Sequence, residues 1–313
     1  GLHNPTLQRI GADSLSRYDA FIQRVRNDSG IDVPYVRNGT LQVTGTEDGA
    51  AALASLATRL DAVGVPCQFV DGEAAVSELE PDVAPMLAGL LIMEHGAVRI
   101  RDLVDALRHA STRLGVRFSH SERVEQVRQA GHLVEVRTHA HTLYAPRLIV
   151  TAGAWSMSLA VEGHPPIPAH PVRGQLLRLQ MPDGGLRRVL WGPSCYMVPW
   201  ADEVLVGATE EEAGFDSRAT VAGVLHLCMA AQALVPALAD GAFSEVRVGL
   251  RPGSPDGLPI IGPAQRLPGV IHATGHFRNG ALLAPLTVDL VADIVANPDT
   301  VVPPAVSPAR FGL

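Results

Sequence analysis

"GVIHATGHFRNGALLAPLT", residues 269–287, joins an apolar run to a helical pattern through a short polar turn. The run 269–275 is predicted to be a strand. Residues 280–296 are predicted to be a helix, because leucine and isoleucine recur on one face. Free N–H groups at the start of such a helix suit a negatively charged group. The stretch therefore predicts a strand, a turn suited to a ligand, and a helix.

A second strand-to-turn pattern occupies residues 147–156, "RLIVTAGAWS". The small residues Ala152 and Gly153 allow either a ligand close to the backbone or tight packing of a strand on a helix, and the sequence leaves both open. Residues 165–210 then contain three successive strand patterns, "RGQLLRLQ", "CYMVPW" and "EVLVGAT", which favour an antiparallel sheet. Strand–helix patterns early and late therefore enclose an antiparallel block, which is typical of an α/β protein.

Caps and periodicity predict the remaining elements. A helix is expected to begin at Asn4 and Pro5 and to end at Ser29 and Gly30. Residues 35–43 are predicted to form a hairpin that turns at Asn38-Gly39. Further helices are predicted over 47–63, 71–79, 101–114 and 217–238, and further strands over 67–70, over 115–118, and on both sides of Gly131 within 124–138.

The composition limits the function classes. The chain has 313 residues, 47% of them hydrophobic, which favours one large domain or two interleaved domains. A formal charge of −7 argues against nucleic acid as a main partner. All 25 basic residues are Arg, so a Schiff-base lysine and a P-loop lysine are excluded. No two glycines are separated by a single residue, so the GxGxxG dinucleotide fingerprint is absent.

The three cysteines, Cys67, Cys195 and Cys228, lie far apart and show no metal-ligand spacing. We therefore expect no disulfide framework, no metal site and a cytoplasmic location. No signal peptide is visible, and the apolar runs are too short and too interrupted for a predicted membrane span, so we expect no membrane association.

Four single residues are candidates for binding chemistry. Arg251 in "GLRPGSPDG" and Arg278 in "HFRNG" lie in glycine-rich turns of low charge. Two guanidinium groups there would clamp a substrate carboxylate, or each would tie loop carbonyls together. Tyr196 in "CYMVPW" is either an active-site residue or a half-buried residue of a sheet. His276 alone is more typical of a hydrogen-bonded core histidine than of a catalyst.

These segments resemble the bacterial glycine oxidases, which belong to the FAD-dependent D-amino-acid-oxidase-like superfamily. The resemblance rests on "GLRPGSPDGLPIIGP" followed by "GVIHATGHFRNGALLAPLT", and on "RLIVTAGAWS" and "CYMVPWADEVLVGAT" in the same order. It covers essentially the whole chain and is densest after residue 145. The Arg in "HFRNG" separates the chain from sarcosine oxidases and D-amino-acid dehydrogenases. A noncovalent FAD is implied, because the C-terminal segment contains no Cys.

The resemblance implies a role for each matching residue. Arg251 matches the arginine that pairs with the substrate carboxylate, and Tyr196 matches an active-site tyrosine beside the substrate. Arg278 is expected as a second positive group on the substrate side of the flavin. Val124 matches a strand residue that touches the adenine end through its backbone. The other expected cofactor contacts are Ala152 and Gly153, and the turn and helix start that surround the isoalloxazine, namely His276, Phe277, Arg278, Asn279, Gly280, Ala281 and Leu282.

The implied fold is α/β, a Rossmann-like FAD-binding domain interleaved with an α+β substrate domain built on an antiparallel sheet. The expected boundaries place 1–30, 95–160 and 252–300 in the first domain, 31–94 and 161–251 in the second, and 301–313 in a tail. The family begins with a strand, a GxGxxG turn and a helix, for which this sequence has no counterpart. We therefore expect the chain to be a fragment of a longer protein. A truncated, non-catalytic paralogue that cannot hold FAD is the alternative.

The reaction that the resemblance implies is oxidative deamination of glycine or of a small amino acid or amine. The products would be an imine or glyoxylate, ammonia and hydrogen peroxide, with O₂ as the electron acceptor. A link to thiazole synthesis for thiamine and a homo-oligomeric assembly are implied as well. A related FAD-dependent D-amino-acid or sarcosine oxidase or dehydrogenase remains open, because the sequence does not show the walls of the pocket.

Overall fold

The structure, a computed structural model, describes residues 4–181 and 185–313. Residues 1–3 and 182–184, which the sequence analysis assigns to the flavin and substrate domains, lie outside the described residues. Short 3-10 helices span Gly153–Ser158, Pro236–Asp240, Phe277–Asn279 and Pro308–Phe311. The α-helices of the described part are α1 (Pro5–Ser16), α2 (Tyr18–Ser29), α3 (Glu47–Asp61), α4 (Glu73–Leu79), α5 (Ile100–Arg113), α6 (Val221–Leu234) and α7 (Gly280–Ala296).

The strands form one large sheet and three smaller ones. The strands are β1 (Tyr35–Val36), β2 (Thr40–Thr44), β3 (Cys67–Asp71), β4 (Ala88–Ile92), β5 (Ala97–Val98), β6 (Val124–Ala130), β7 (Leu133–Thr138), β8 (Thr142–Ala145), β9 (Leu148–Val150), β10 (Ala160–Val161), β11 (His170–Gln180), β12 (Val189–Trp191), β13 (Tyr196–Trp200), β14 (Glu203–Gly207), β15 (Ala242–Gly253), β16 (Ile260–Pro263) and β17 (Val270–Thr274).

The large sheet has the strand order β15-β11-β14-β13-β12-β2-β4-β3. Its neighbours pair antiparallel, except for β12 and β2, which run parallel. Leu177, Leu190 and Met197 are fully buried on this sheet and pack with Leu227 of α6 in one hydrophobic cluster. The antiparallel block predicted over 165–210 is therefore present, and strands from residues 40–92 extend it.

A three-stranded sheet, β16-β17-β9, carries the two strand-to-turn patterns of the sequence. Strands β9 and β17 run parallel, so the turns that follow them lie at the same edge of the sheet. A four-stranded sheet, β10-β6-β7-β8, shares its core: Val127 and Val134 cluster with Val150 and Val270. The C-terminal Leu313 is 1% exposed in this cluster, and Ile261 N donates to Val306 O. The α/β class predicted from the sequence is confirmed, whereas the domain boundaries remain a prediction.

The predicted helix start at Asn4 is confirmed, because its side chain accepts hydrogen bonds from the N–H groups of Thr6 and Leu7. The expectation of a single helix up to Ser29 is wrong. The chain breaks at Arg17, whose N–H donates to Ser14 O, and α2 begins one residue later.

The predicted hairpin over 35–43 is also wrong. Gly39 does adopt a left-handed φ of 86°, but β1 pairs with β5, whereas β2 pairs with β4 and β12. The polar groups of the turn bond elsewhere, since Gly39 N donates to His95 O and Asn38 Nδ2 donates to Arg187 O. Residues 115–118, expected as a strand, lie outside the strands.

Helix α7 contains Pro285, which has no N–H and leaves the Ala281 carbonyl without its helical donor. The Tyr18 hydroxyl fills this position and donates to Ala281 O at 2.7 Å. The next carbonyl is bridged by Ser14, whose Oγ donates to Leu282 O at 2.6 Å and accepts from Leu286 N at 3.3 Å. Tyr18 of α2 therefore supplies the hydrogen bond that the proline removes, and Ser14 of α1 bridges the next pair of backbone groups in the helix.

The segment Phe277–Ala296 is 20 residues long and apolar enough to cross a membrane by length and composition alone. The apolar runs of the sequence predicted no such segment. In the described structure its helix packs against α1, β16 and β17, and 17% of its apolar window is buried.

Removal of the Ser14 hydroxyl tests this repair of α7. We expect Ser14→Ala to lower the free energy of unfolding by about 1 kcal/mol, because two backbone groups of α7 lose their partner. Urea denaturation monitored by circular dichroism measures the change. Ser16→Ala is the matched control, because its hydroxyl donates only to the Asp13 carbonyl of the same helix. Equal stabilities of the two variants would contradict the role of Ser14.

Acid sensitivity is expected from His272 on β17, which is 1% exposed and finds no hydrogen-bond partner for either ring nitrogen among the described residues. Burial, assisted by His164, lowers the pKa of His272 to about 4. The unfolded chain therefore binds the extra proton between pH 6.5 and 4, and stability falls as the pH falls through that window. Between pH 7.5 and pH 5, we expect the free energy of unfolding of His272→Leu to rise by about 2 kcal/mol relative to that of the parent protein.

Thermal or urea denaturation of both proteins at several pH values measures this difference. His132→Leu, at the exposed turn between β6 and β7, is the matched control. A constant difference between His272→Leu and the parent protein across this pH range would show that His272 does not titrate on unfolding.

Candidate functional site

Two glycines in the large sheet make room for the candidate substrate-binding side chains. The guanidinium group of Arg251 lies on Gly174 of the neighbouring strand β11, where a Cβ would come within 2.2 Å of Arg251 Nη2. The Tyr196 ring lies on Gly207 of β14, where a Cβ would come within 2.4 Å of Cζ. Because glycine has no Cβ, both side chains lie flat on the sheet, and any larger residue at either position would displace them.

Arg251 is a partly buried cation without a carboxylate at salt-bridge distance in the described part of the chain. Its Nη1 donates to the Thr209 carbonyl at 3.0 Å. Burial lowers the pKa of Arg251, and Arg278 acts in the same direction, while Tyr196 and Glu210 oppose them. A desolvated cation held by a neutral carbonyl is stabilised by an incoming anion, so this position suits a carboxylate.

Tyr196 stacks on Trp191 of β12, with ring centroids 5.4 Å apart and an interplanar angle of 24°. Burial raises the pKa of Tyr196, against the opposing effect of Arg251 and Arg278. The phenol therefore stays protonated at neutral pH, and its O–H remains available to donate to a ligand oxygen.

Arg278 lies in the 3-10 turn that leads into α7. Its Nη1 donates to Glu210 Oε2 at 3.2 Å, and its guanidinium carbon lies 5.9 Å from the centroid of the Trp191 ring. The structure therefore brings Arg251, Tyr196 and Arg278 together at one end of the large sheet, against the turn after β17. We call Arg251, Tyr196, Arg278, Glu210 and Trp191 the arginine cluster.

The turn between β17 and α7 is held in place by its own hydrogen bonds. His276 Nε2 pairs with Thr287 Oγ1 at 2.9 Å, and Asn279 N donates to His276 O. Burial lowers the pKa of His276 to about 4, so its ring is neutral at neutral pH. His276 is therefore a hydrogen-bonded structural histidine. Phe277, which precedes Arg278, adopts a left-handed φ of 48°, a strained conformation for a residue with a Cβ.

The turn after β9 lies beside the turn after β17. The Thr274 hydroxyl donates to the Gly153 carbonyl at 3.1 Å and accepts from Ser156 Oγ at 3.1 Å, which ties the two turns together. At Gly153 (φ 55°) a Cβ would meet no atom within 4 Å, so the space in front of this turn is open. Open space at the carboxyl ends of two adjacent parallel strands fits a flat cofactor ring, and ligands of α/β sheets bind at such ends.

The remaining predicted cofactor residues lie in two places. Gly280, Ala281 and Leu282 form the first turn of α7, directly after Arg278. Val124 begins β6 in the four-stranded sheet and is 36% exposed, so the structure does not bring it into the arginine cluster.

A buried polar network behind the arginine cluster was not expected from the sequence. The carboxylate of Glu211 accepts hydrogen bonds from Arg173, Gln175 and the Thr209 hydroxyl. Burial would raise the pKa of Glu211, but these hydrogen bonds outweigh it and lower the pKa. The network fixes Thr209, whose carbonyl accepts from Arg251, so Glu211 orients Arg251 through Thr209.

Sequence reasoning also missed Glu210 and Trp191. Three consecutive glutamates, residues 210–212, follow an apolar strand, and this pattern alone resembles a solvated turn. The structure shows that the three have different environments. Glu211 points into the network, Glu210 pairs with Arg278, and the side chain of Glu212 is 76% exposed.

Neutralisation of Glu211 tests the network. We expect Glu211→Gln to lower the free energy of unfolding by about 1.5–3 kcal/mol, because Arg173, whose side chain is 8% exposed, loses one of its two carboxylate partners and keeps Asp216 at 3.2 Å. Chemical denaturation measures the loss, with Glu212→Gln as the matched control. An unchanged denaturation midpoint in Glu211→Gln would show that the network adds no stability.

Comparison with known proteins identifies the family of the chain. Residues 2–294 match the family model DAO, described as FAD dependent oxidoreductase. The chain is 33% identical over 298 residues to a glycine oxidase of Geobacillus kaustophilus, which covers 93% of this chain and 78% of that protein. The crystal structure of glycine oxidase from Geobacillus kaustophilus aligns with a TM-score of 0.88 at 29% identity, covering 95% of this chain and 81% of that one.

A second type of relative is longer. The bifunctional protein ThiO/ThiG of Nostoc sp. is 35% identical over 249 residues, which is 75% of this chain but only 37% of that protein. The family model spans nearly the whole chain, and the glycine oxidase relative exceeds 30% identity over most of both proteins. The chain therefore belongs to the DAO family of FAD-dependent oxidoreductases.

Proposed function

We propose that this protein, loaded with FAD, oxidises glycine or a similarly small amino acid or amine. The family and its glycine oxidase relatives support FAD-dependent amine oxidation. The observation that carries the narrower proposal is Arg251, a partly buried cation bound to a carbonyl and not to a carboxylate, directly beside a protonated tyrosine. This pair is complementary to the carboxylate that every amino acid carries.

In this proposal, Arg251 and the Tyr196 hydroxyl hold the substrate carboxylate. Holding one end of a small substrate orients its α-carbon, which removes much of the entropic cost of reaching a reactive geometry. FAD, when bound, would supply the hydride-transfer chemistry. The residues proposed to hold it are Ala152, Gly153, the segment 276–282, and Val124 through its backbone.

Neither His276 nor Tyr196 provides a strong base at neutral pH. The pKa of His276 is about 4 and its ring is hydrogen-bonded to Thr287, while the raised pKa of Tyr196 keeps the phenol protonated. We therefore propose that the substrate amine binds in its deprotonated form, and that the protein orients it without removing a proton.

The finer features of the proposal follow the family resemblance. We propose a noncovalent FAD, O₂ as electron acceptor, and an imine or glyoxylate, ammonia and hydrogen peroxide as products. A role in thiazole synthesis for thiamine is supported by the ThiO/ThiG relative. A cytoplasmic location and a homo-oligomer stay predictions. Steady-state rates with glycine, sarcosine and D-proline distinguish glycine from the secondary-amine and D-amino-acid alternatives.

The carboxylate clamp is tested with the purified, FAD-loaded protein in a peroxide assay. We expect Arg251→Met to lower kcat/KM for glycine, because the substrate carboxylate loses its charged partner. The decrease should correspond to a loss of about 2–5 kcal/mol in transition-state stabilisation. Arg247→Met, on the same strand and paired with Glu245, is the matched control. Unchanged turnover in Arg251→Met would overturn the clamp, whereas a parent protein that binds no flavin or oxidises no amine would overturn the proposed function.

A further inference from the structure

The arginine cluster contains two guanidinium groups but only one carboxylate. Arg278 is paired with Glu210 at 3.2 Å, whereas Arg251 has no carboxylate partner in the described residues. Both arginines act electrostatically on Tyr196, and Arg278 and Glu210 act on Arg251, so the four groups lie close together. One positive charge is therefore free for a ligand, and the other is already compensated.

We propose that Glu210 is a specificity-determining residue that restricts the site to amines with a single carboxylate. By pairing with Arg278, it prevents this second arginine from binding a second carboxylate. This inference rests on the proposed function, since it assumes that Arg251 binds the first carboxylate.

Two effects act together against a substrate with two carboxylates. The second carboxylate would meet the like charge of Glu210, which is unfavourable at short range. It would also have to displace Glu210 from Arg278 to gain a partner. Selection of this kind combines an attractive group for the right ligand with a repulsive group against the wrong one.

Arg278 keeps its place without Glu210. Its guanidinium group lies 5.9 Å from the Trp191 ring centroid, and Trp191 is stacked on Tyr196. A cation beside an aromatic face is attracted independently of any carboxylate. Glu210→Gln, which keeps the shape and removes the charge, should therefore leave a second arginine free for an anion.

The competing explanation is that Glu210 and Arg278 form an ordinary surface ion pair. Their side chains are 49% and 35% exposed, and exposed pairs contribute little to stability. In that case Glu210→Gln would leave the preference between monocarboxylates and dicarboxylates unchanged.

The experiment measures binding and turnover with the FAD-loaded protein. The binding probes are diglycolate, a dicarboxylate that lacks an oxidisable amine, and methoxyacetate, its monocarboxylate counterpart, each titrated by isothermal calorimetry. The turnover substrates are glycine and iminodiacetate. The variants are Glu210→Gln and the double variant Glu210→Gln/Arg278→Met. The control is Glu212→Gln, which removes the charge of a glutamate two residues further along the chain, whose side chain is 76% exposed.

We expect Glu210→Gln to bind diglycolate at least about tenfold more tightly than the parent protein, equivalent to about 1.4 kcal/mol. Its affinity for methoxyacetate should change by less than about threefold. The ratio of kcat/KM for iminodiacetate over glycine should rise in parallel, the gain should disappear in the double variant, and Glu212→Gln should behave as the parent protein.

An unchanged diglycolate affinity in Glu210→Gln, or a gain that persists without Arg278, overturns the inference. Failure of the proposed function looks different. If the parent protein does not turn over glycine but Glu210→Gln still gains diglycolate affinity through Arg278, the proposed substrate is wrong and the proposed role of Glu210 is supported.

Discussion

The hydrogen bond from Arg251 to the Thr209 carbonyl is the contact on which the candidate site depends. It joins β15 to the segment after β14 across the intervening strand β11. It is possible only because Gly174 leaves the surface of β11 bare beneath the guanidinium group. The Thr209 hydroxyl donates to the half-buried carboxylate of Glu211 and accepts from Gln175 N, so Thr209 is fixed while its neutral carbonyl holds the cation. The charge of Arg251 is thus oriented but not neutralised by its surroundings.

The second half of the site is built from the edge of the three-stranded sheet. The Thr274 hydroxyl joins the turns after β9 and β17, and the second of these turns delivers Arg278 to the large sheet. There Arg278 lies beside the ring of Trp191 on β12, which is stacked on Tyr196 of β13. The open space at Gly153 and the guanidinium group of Arg251 are therefore connected through a single turn, which is the arrangement that the proposed cofactor and substrate positions require.

The elements set by local chemistry were predictable from the sequence, and those set by distant pairing were not. The helix start at Asn4 and the strand and helix of 269–296 were correctly predicted, because caps and periodicity determine them within a few residues. The hairpin failed because β2 prefers strands roughly 50 and 150 residues away in the chain to its neighbour β1. The sequence context singled out Arg251, Tyr196 and Arg278 as candidates, and the family resemblance suggested their roles. The importance of Glu210 and Trp191 depends on the strand order, which no local pattern predicts.

Pro285 has a further consequence for the turn that carries Arg278. The first turn of α7 is hydrogen-bonded to Ser14 of α1 and Tyr18 of α2, while Pro285 interrupts the hydrogen bonding along the helix. Gly11 adds to this attachment, because a Cβ there would approach Leu282 Cδ2 to 3.2 Å. A displacement of this turn is therefore transmitted to the amino-terminal helices more directly than to the far end of α7. Substitutions near residues 11–18, over 260 positions away in sequence, are consequently a route by which evolution or a protein engineer can adjust Arg278 without changing any residue of the cluster.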